Sequence, residues 1–81
     1  MLRSKIDMLA DVLEAARRGA TKTRIMSRAN LNQKLADYSI RLLVDLKLLT
    51  EKNSSPISRF TTNKGLKFLE EYHRLQKTLE E

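Results

Sequence analysis

The sequence predicts a single, mainly α domain with a small β-hairpin, on three observations. Two helical stretches are joined by the tight turn Ala29-Asn30, and the second is long and polar along one side. Two short extended runs then flank the loop Asn53-Ser54-Ser55-Pro56. A last stretch, 64–81, lacks proline and repeats apolar residues at helical spacing. Two helices about a short turn make a helix-turn-helix, and a hairpin behind the second helix is a wing of two or three strands. The predicted fold is therefore a winged helix-turn-helix over residues 1–63 followed by a dimerisation helix over 64–81.

Ser4 is placed to cap a first helix running to about Arg18, with Asp7 in its first turn, where the helix dipole favours an anion. Ile6, Leu9, Val12, Leu13 and Ala16 form its apolar stripe, with Met8 at the edge. Gly19 is positioned as the left-handed residue that ends it. Thr21 or Thr23 starts the second helix, which buries Ile25, Met26 and Ala29 and leaves Lys22, Arg24 and Arg28 on or near its exposed side.

The central stretch from Leu31 to Leu49 contains no Gly or Pro. Asn32 stands at its N-cap, and the helix itself is expected over 32–47. Leu35, Ile40, Leu43 and Leu46 recur at core spacing, with Ala36 and Ser39 small beneath their neighbours. Gln33, Lys34, Asp37, Tyr38 and Arg41 occupy the other face. Beyond it, 48–52 and 57–62 read as the hairpin strands, with Lys52 and Arg59 flanking the polar tip.

Thr62 or Asn63 caps the final helix. Phe68, Tyr72, Leu75 and Leu79 are spaced four, three and four, the alternation of a two-stranded coiled-coil seam. Leu66 and Leu69 lie beside the seam, and Gly65 suggests close backbone packing. Lys67–Glu71, Glu70–Arg74 and Lys77–Glu81 are i,i+4 pairs, and His73, three residues after Glu70, reads as an exposed side chain paired along the helix. The helix spans about 27 Å, more than so small a core can cover, so its distal half calls for a second copy of the chain.

The net charge is +6, and +4 of it falls in residues 20–41, where Lys22, Arg24, Arg28, Lys34 and Arg41 face Asp37 alone. A basic excess on a helix-turn-helix suits a polyanion. Lys22, Arg24 and Arg28 are the phosphate-contact candidates, because the first helix of such a pair crosses the backbone. Asn32, Gln33, Lys34, Tyr38 and Arg41 are the candidates on the major-groove helix, and Arg59 the candidate on the wing. The chain has no Cys, hence no disulfide, thiol chemistry or thiolate metal site, and no Gly-rich phosphate loop, Ser-His-Asp set or carboxylate cluster with ligand spacing. Its longest aliphatic run, Leu42-Leu43-Val44, is far too short to cross a bilayer. These features predict a cytoplasmic, nucleoid-associated protein that is not an enzyme and uses no cofactor or metal.

The run Lys22-Thr23-Arg24-Ile25-Met26-Ser27-Arg28-Ala29-Asn30-Leu31 resembles the second helix and turn of the small archaeal winged helix-turn-helix proteins. The likeness continues through Leu42, Leu43, Leu48 and Leu49 and through Thr62-Asn63-Lys64-Gly65, and covers roughly residues 5 to 76. That group includes basic DNA-binding proteins that dimerise through a C-terminal coiled coil. The resemblance thus implies double-stranded DNA binding as a homodimer, in transcriptional regulation or chromatin organisation. Lys47 stands where many relatives have Gly, so either it adopts a backbone conformation suited to Gly or the helix ends differently. The wing aromatic stands one place later, at Phe60, and the last helix is shorter than usual. The alternative function is a protein-interaction adaptor, another use of winged helices. RNA binding fits less well, since Tyr38 is the only aromatic on the basic face and single-strand binders offer several stacking rings.

Overall fold

The computed structural model describes residues 3–80 and contains four helices and one antiparallel hairpin: α1 (Lys5–Ala15), α2 (Lys22–Ala29), α3 (Gln33–Asp45), β1 (Leu49–Lys52), β2 (Ser58–Thr61) and α4 (Asn63–Glu80). The mainly helical architecture with a small wing is the predicted one. Val12, Leu13, Ile25, Leu43, Leu49 and Leu69 are fully buried, so every helix and β1 contribute to one core.

α1 begins in a capping box. Ser4 Oγ accepts from the Asp7 N–H at 3.1 Å, and the Asp7 carboxylate accepts from the Ser4 N–H at 3.2 Å. The helix stops at Ala15, three residues before the expected end. Gly19 still takes the left-handed conformation (φ 94°), with the Phe60 ring packed where a Cβ would stand. Met8 is buried and Ile6 is 55% exposed, so the core-facing stripe is displaced from the predicted one.

Thr21 caps α2, and Asn30 ends it in the left-handed region at φ 54°. Asn32 caps α3, its Oδ1 accepting from the Leu35 N–H at 2.9 Å. The buried face of α3 is Ala36, Ser39, Ile40 and Leu43. Ser39 Oγ donates to the Leu35 carbonyl at 2.7 Å, which satisfies a hydroxyl that is fully buried. Leu35 and Leu46, expected in the core, are exposed on the flank of the helix.

α3 is shorter than expected because the chain reverses at Lys47. This residue takes φ 67°, the conformation glycine favours, and closes a Schellman motif: the Leu48 N–H donates to Leu43 and the Lys47 N–H to Val44. The last turn of α3 has no basic residue of its own, and Lys64 Nζ from α4 donates to the Leu46 carbonyl at 3.0 Å instead.

In the hairpin, Leu49 faces Thr61, Thr50 faces Phe60, Glu51 faces Arg59, and Lys52 faces Ser58. Ala20 forms an isolated antiparallel bridge with Arg59: its N–H donates to the Arg59 carbonyl at 2.9 Å and its carbonyl accepts from the Arg59 N–H at 2.8 Å. Thr61, buried at the base, donates its hydroxyl to the Leu13 carbonyl at 2.6 Å, and Thr62 Oγ1 accepts from the Gly65 N–H at 3.1 Å to cap α4.

Gly65 packs as closely as the sequence suggested. A Cβ there would lie 2.4 Å from the Leu48 carbonyl oxygen. Leu69 is buried, while Phe68 and Tyr72, assigned by spacing to an intermolecular seam, pack in part on the chain's own core. Leu75 and Leu79 of the same seam are 60% and 84% exposed. Tyr72 donates to the Asp7 carboxylate, fastening α4 to the start of α1. That bond holds the Asp7 carboxyl below its ordinary range and pushes the Tyr72 phenol up to about 12. Arg74 pairs with Glu71 rather than Glu70, and His73 approaches Glu14 of α1 at 3.7 Å rather than Glu70. The Lys77–Glu81 pair lies outside the described residues. No helix among these residues is long and apolar enough to cross a membrane, and none of their acidic, His or Cys groups cluster as metal ligands.

Candidate nucleic-acid interface

The interface is built on the α2–α3 turn. Left-handed Asn30 reverses the chain, the Leu31 N–H donates to the Met26 carbonyl at 2.9 Å, and the Leu31 side chain is buried beneath the turn. Arg3 braces the same turn from the N-terminus, donating to the Ala29 carbonyl at 2.6 Å while pairing with Asp11 at 2.9 Å. With four small or aliphatic residues of α3 anchored in the core, Gln33, Lys34, Asp37, Tyr38 and Arg41 are all exposed. No acidic residue occupies the first turn of α3, so the positive end of its dipole and Lys34 add at one end of this face.

The cations singled out in the sequence have different surroundings. Lys22 crosses from α2 to α3 and pairs with Asp37 at 3.0 Å. Arg28 is turned to the end of α1, where Nη1 donates to the Ala15 carbonyl at 3.0 Å beside Asp11 and Glu14. There it satisfies a helix C-terminus, a structural use that competes with phosphate contact. Arg59 is only 15% exposed along its side chain and pairs across the hairpin with Glu51 at 3.0 Å. Arg24, Lys34 and Arg41 are exposed and have no ion-pair partner among the described residues.

Between α3 and the hairpin lies an open groove of about 680 Å³, lined by Asp37, Arg41, Val44 and Asp45 on one side and Glu51 and Arg59 on the other. Two residues escaped the sequence reading. Lys5 of α1 sits over the Tyr38 ring at 5.3 Å, adding a cation to the edge of the α3 face. Arg3 supports the turn across 26 residues of chain. No local pattern marks either one. The basic character visible at 20–41 is thus resolved into Lys22 paired with Asp37, Arg28 turned to α1, and three cations with no ion-pair partner among the described residues.

A short helix pair about a left-handed turn, its second helix bare on one side and backed by a hairpin, defines a winged helix-turn-helix domain. The sequence profile of the winged helix-turn-helix family matches residues 2–80, and the chain belongs to that family. No curated protein matches it in sequence. Among solved structures it is similar to Sso10a-2, a DNA-binding protein from Sulfolobus solfataricus, with a TM-score of 0.82 and 22% identity over 96% of this chain and 86% of that one.

Proposed function

We propose that the chain binds double-stranded DNA, with α3 in the major groove and the hairpin beside the backbone, and that it does so as a homodimer. The observation that carries this reading is the face of α3, where Gln33, Lys34, Tyr38 and Arg41 stand exposed together opposite a fully anchored side. Their chemistry suits base edges and phosphates: Gln matches adenine, and Lys or Arg matches guanine. Arg24 on the preceding helix is placed for the backbone. The similarity to a DNA-binding protein of the same fold supports the assignment. Leu75 and Leu79, apolar and bare on a helix that outruns its core, support pairing through α4, with the half-buried Phe68 and Tyr72 next along the same helix. Such a protein would act in the nucleoid, in transcription regulation or chromatin organisation.

A second reading, a protein-interaction adaptor, is favoured by exposed Leu35 and Leu46 on the flank of α3. A salt titration separates the two. For a DNA binder, the anisotropy of a labelled mixed-sequence duplex reports affinity that falls linearly in log–log form, with a slope of about −0.9 per phosphate contacted. An adaptor shows no useful affinity for the duplex at any salt concentration.

A further inference from the structure

Two of the cations on the proposed DNA face are already bound to carboxylates. Lys22 Nζ meets Asp37 Oδ1 and Arg59 Nε meets Glu51 Oε2, each at 3.0 Å, the distance at which the same groups would hold a phosphate oxygen. Both carboxylates stand on the walls of the groove between α3 and the hairpin, and both are about half exposed. Neither serves a helix cap, and neither accepts any other side-chain or backbone hydrogen bond among those of the described residues. Resting on the DNA-binding reading above, we propose that Asp37 and Glu51 are intramolecular stand-ins for phosphate that hold down the affinity of this face for DNA.

Phosphate binding at these two cations is an exchange. A phosphate approaching Lys22 or Arg59 must displace a carboxylate that remains tethered nearby, and the released carboxylate then faces a polyanion at close range. Partly exposed pairs of this kind are weak, because water screens both charges. The carboxylates therefore tune binding without blocking it, and they tune it uniformly, since the exchange takes place at the backbone and not at the bases. The consequence is a protein whose general affinity for duplex lies below what its formal charge promises. Arg24, Lys34 and Arg41 are left to make the first contacts.

The test uses the full chain and the variants Asp37→Asn and Glu51→Gln, singly and together, on a mixed-sequence duplex. Each single variant is expected to bind about three- to tenfold more tightly at moderate salt, with the salt slope steepened by up to about 0.9 for each cation released. Glu71→Gln is the control. It removes the same charge from an exposed pair with Arg74 on α4, away from this face. Equal gains from Glu71→Gln and Asp37→Asn would overturn the proposal, because they would report net charge alone. Unchanged or weaker binding by both Asp37→Asn and Glu51→Gln, while the parent binds, would also overturn it and leave the DNA reading standing. In a double-mutant cycle Lys22→Gln should cost more in the Asp37→Asn background than in the parent, and equal costs would count against the exchange. If neither parent nor double variant binds duplex, the DNA reading falls and this inference with it. Binding gained by the double variant alone would support both.

Discussion

Replacing Gly65 by Ala perturbs the joint where α3, β1 and α4 meet, and the structure sets the size of the effect. Gly to Ala in an exposed helix interior stabilises by up to about 1 kcal/mol. Here the new Cβ would stand 2.4 Å from the Leu48 carbonyl oxygen and 2.6 Å from Thr61 Cγ2, about 1 Å inside ordinary van der Waals contact. One obstacle is backbone, so no rotamer change relieves it. The Leu48 oxygen also accepts from the Thr62 N–H at 3.0 Å, while the Thr62 hydroxyl donates over the shorter distance of 2.7 Å to the Lys47 carbonyl. Moving α4 outward therefore lengthens a hydrogen bond worth about 1 kcal/mol net, in addition to the ordinary overpacking cost of roughly 1–3 kcal/mol. After the helical gain, a net loss of about 1–3 kcal/mol is expected. For a domain of this size each kcal/mol moves Tm by about 4–8 °C. Thermal unfolding followed by circular dichroism should show a fall of about 4–24 °C. A Tm equal to or above the parent's would refute the close approach of α4 to Leu48.

The other predictions address the pH response, the cations and α4. The Tyr72–Asp7 bond needs an ionised carboxylate and a protonated phenol. Its contribution should therefore be lost as pH falls below about 4 through the lowered Asp7 value, and again as pH rises from about 10 through the raised Tyr72 value of about 12; Tyr72→Phe should flatten both limbs of the stability–pH curve, and a parallel curve would contradict the contact. Arg28→Ala should cost about 1 kcal/mol of stability by leaving the Ala15 carbonyl without its partner. Arg24→Ala should leave Tm nearly unchanged and reduce the salt slope of duplex binding by about 0.9. Leu75→Glu with Leu79→Glu should give a folded monomer by sedimentation, with duplex affinity lowered tenfold or more through loss of the second engagement; a variant that stays dimeric would place the seam elsewhere.

Where one residue's chemistry dictates local geometry, the sequence was sufficient. Ser4 and Asn32 cap the helices they were expected to cap, Thr62 is the one of the two candidates that caps the last, Gly19 takes a positive φ, and Gly65 marks a close approach. The turn at Lys47 was legible as a conflict between residue type and backbone, and the chain resolves it by accepting φ 67°. Periodicity located the stripes of α1 and α3 but not their width or phase. Ile6, Leu35 and Leu46 have the right spacing and remain exposed, because which side of a stripe is covered depends on where neighbouring elements lie. The charged residues were the least legible part of the candidate site. Lys22–Asp37, Arg59–Glu51 and Arg28–Ala15 join positions 15, 8 and 13 residues apart on different elements, so charge was visible but partners were not. The seam on α4 was read from spacing, helix length and resemblance, none of which separates an internal contact from an intermolecular one residue by residue. Phe68 and Tyr72 turn partly inward, and Leu75 and Leu79 do not.

The most direct test of the DNA-binding face is an NMR titration of the isotope-labelled protein with an unlabelled duplex, following every backbone amide. DNA docked on α3 should give the largest shifts in residues 32–41 and around Arg24, smaller ones along the hairpin, and the smallest near Ala15 at the end of α1. Shifts concentrated on the Leu35–Leu46 flank or on α4, with residues 33, 34, 37 and 41 unmoved at saturation, would contradict it.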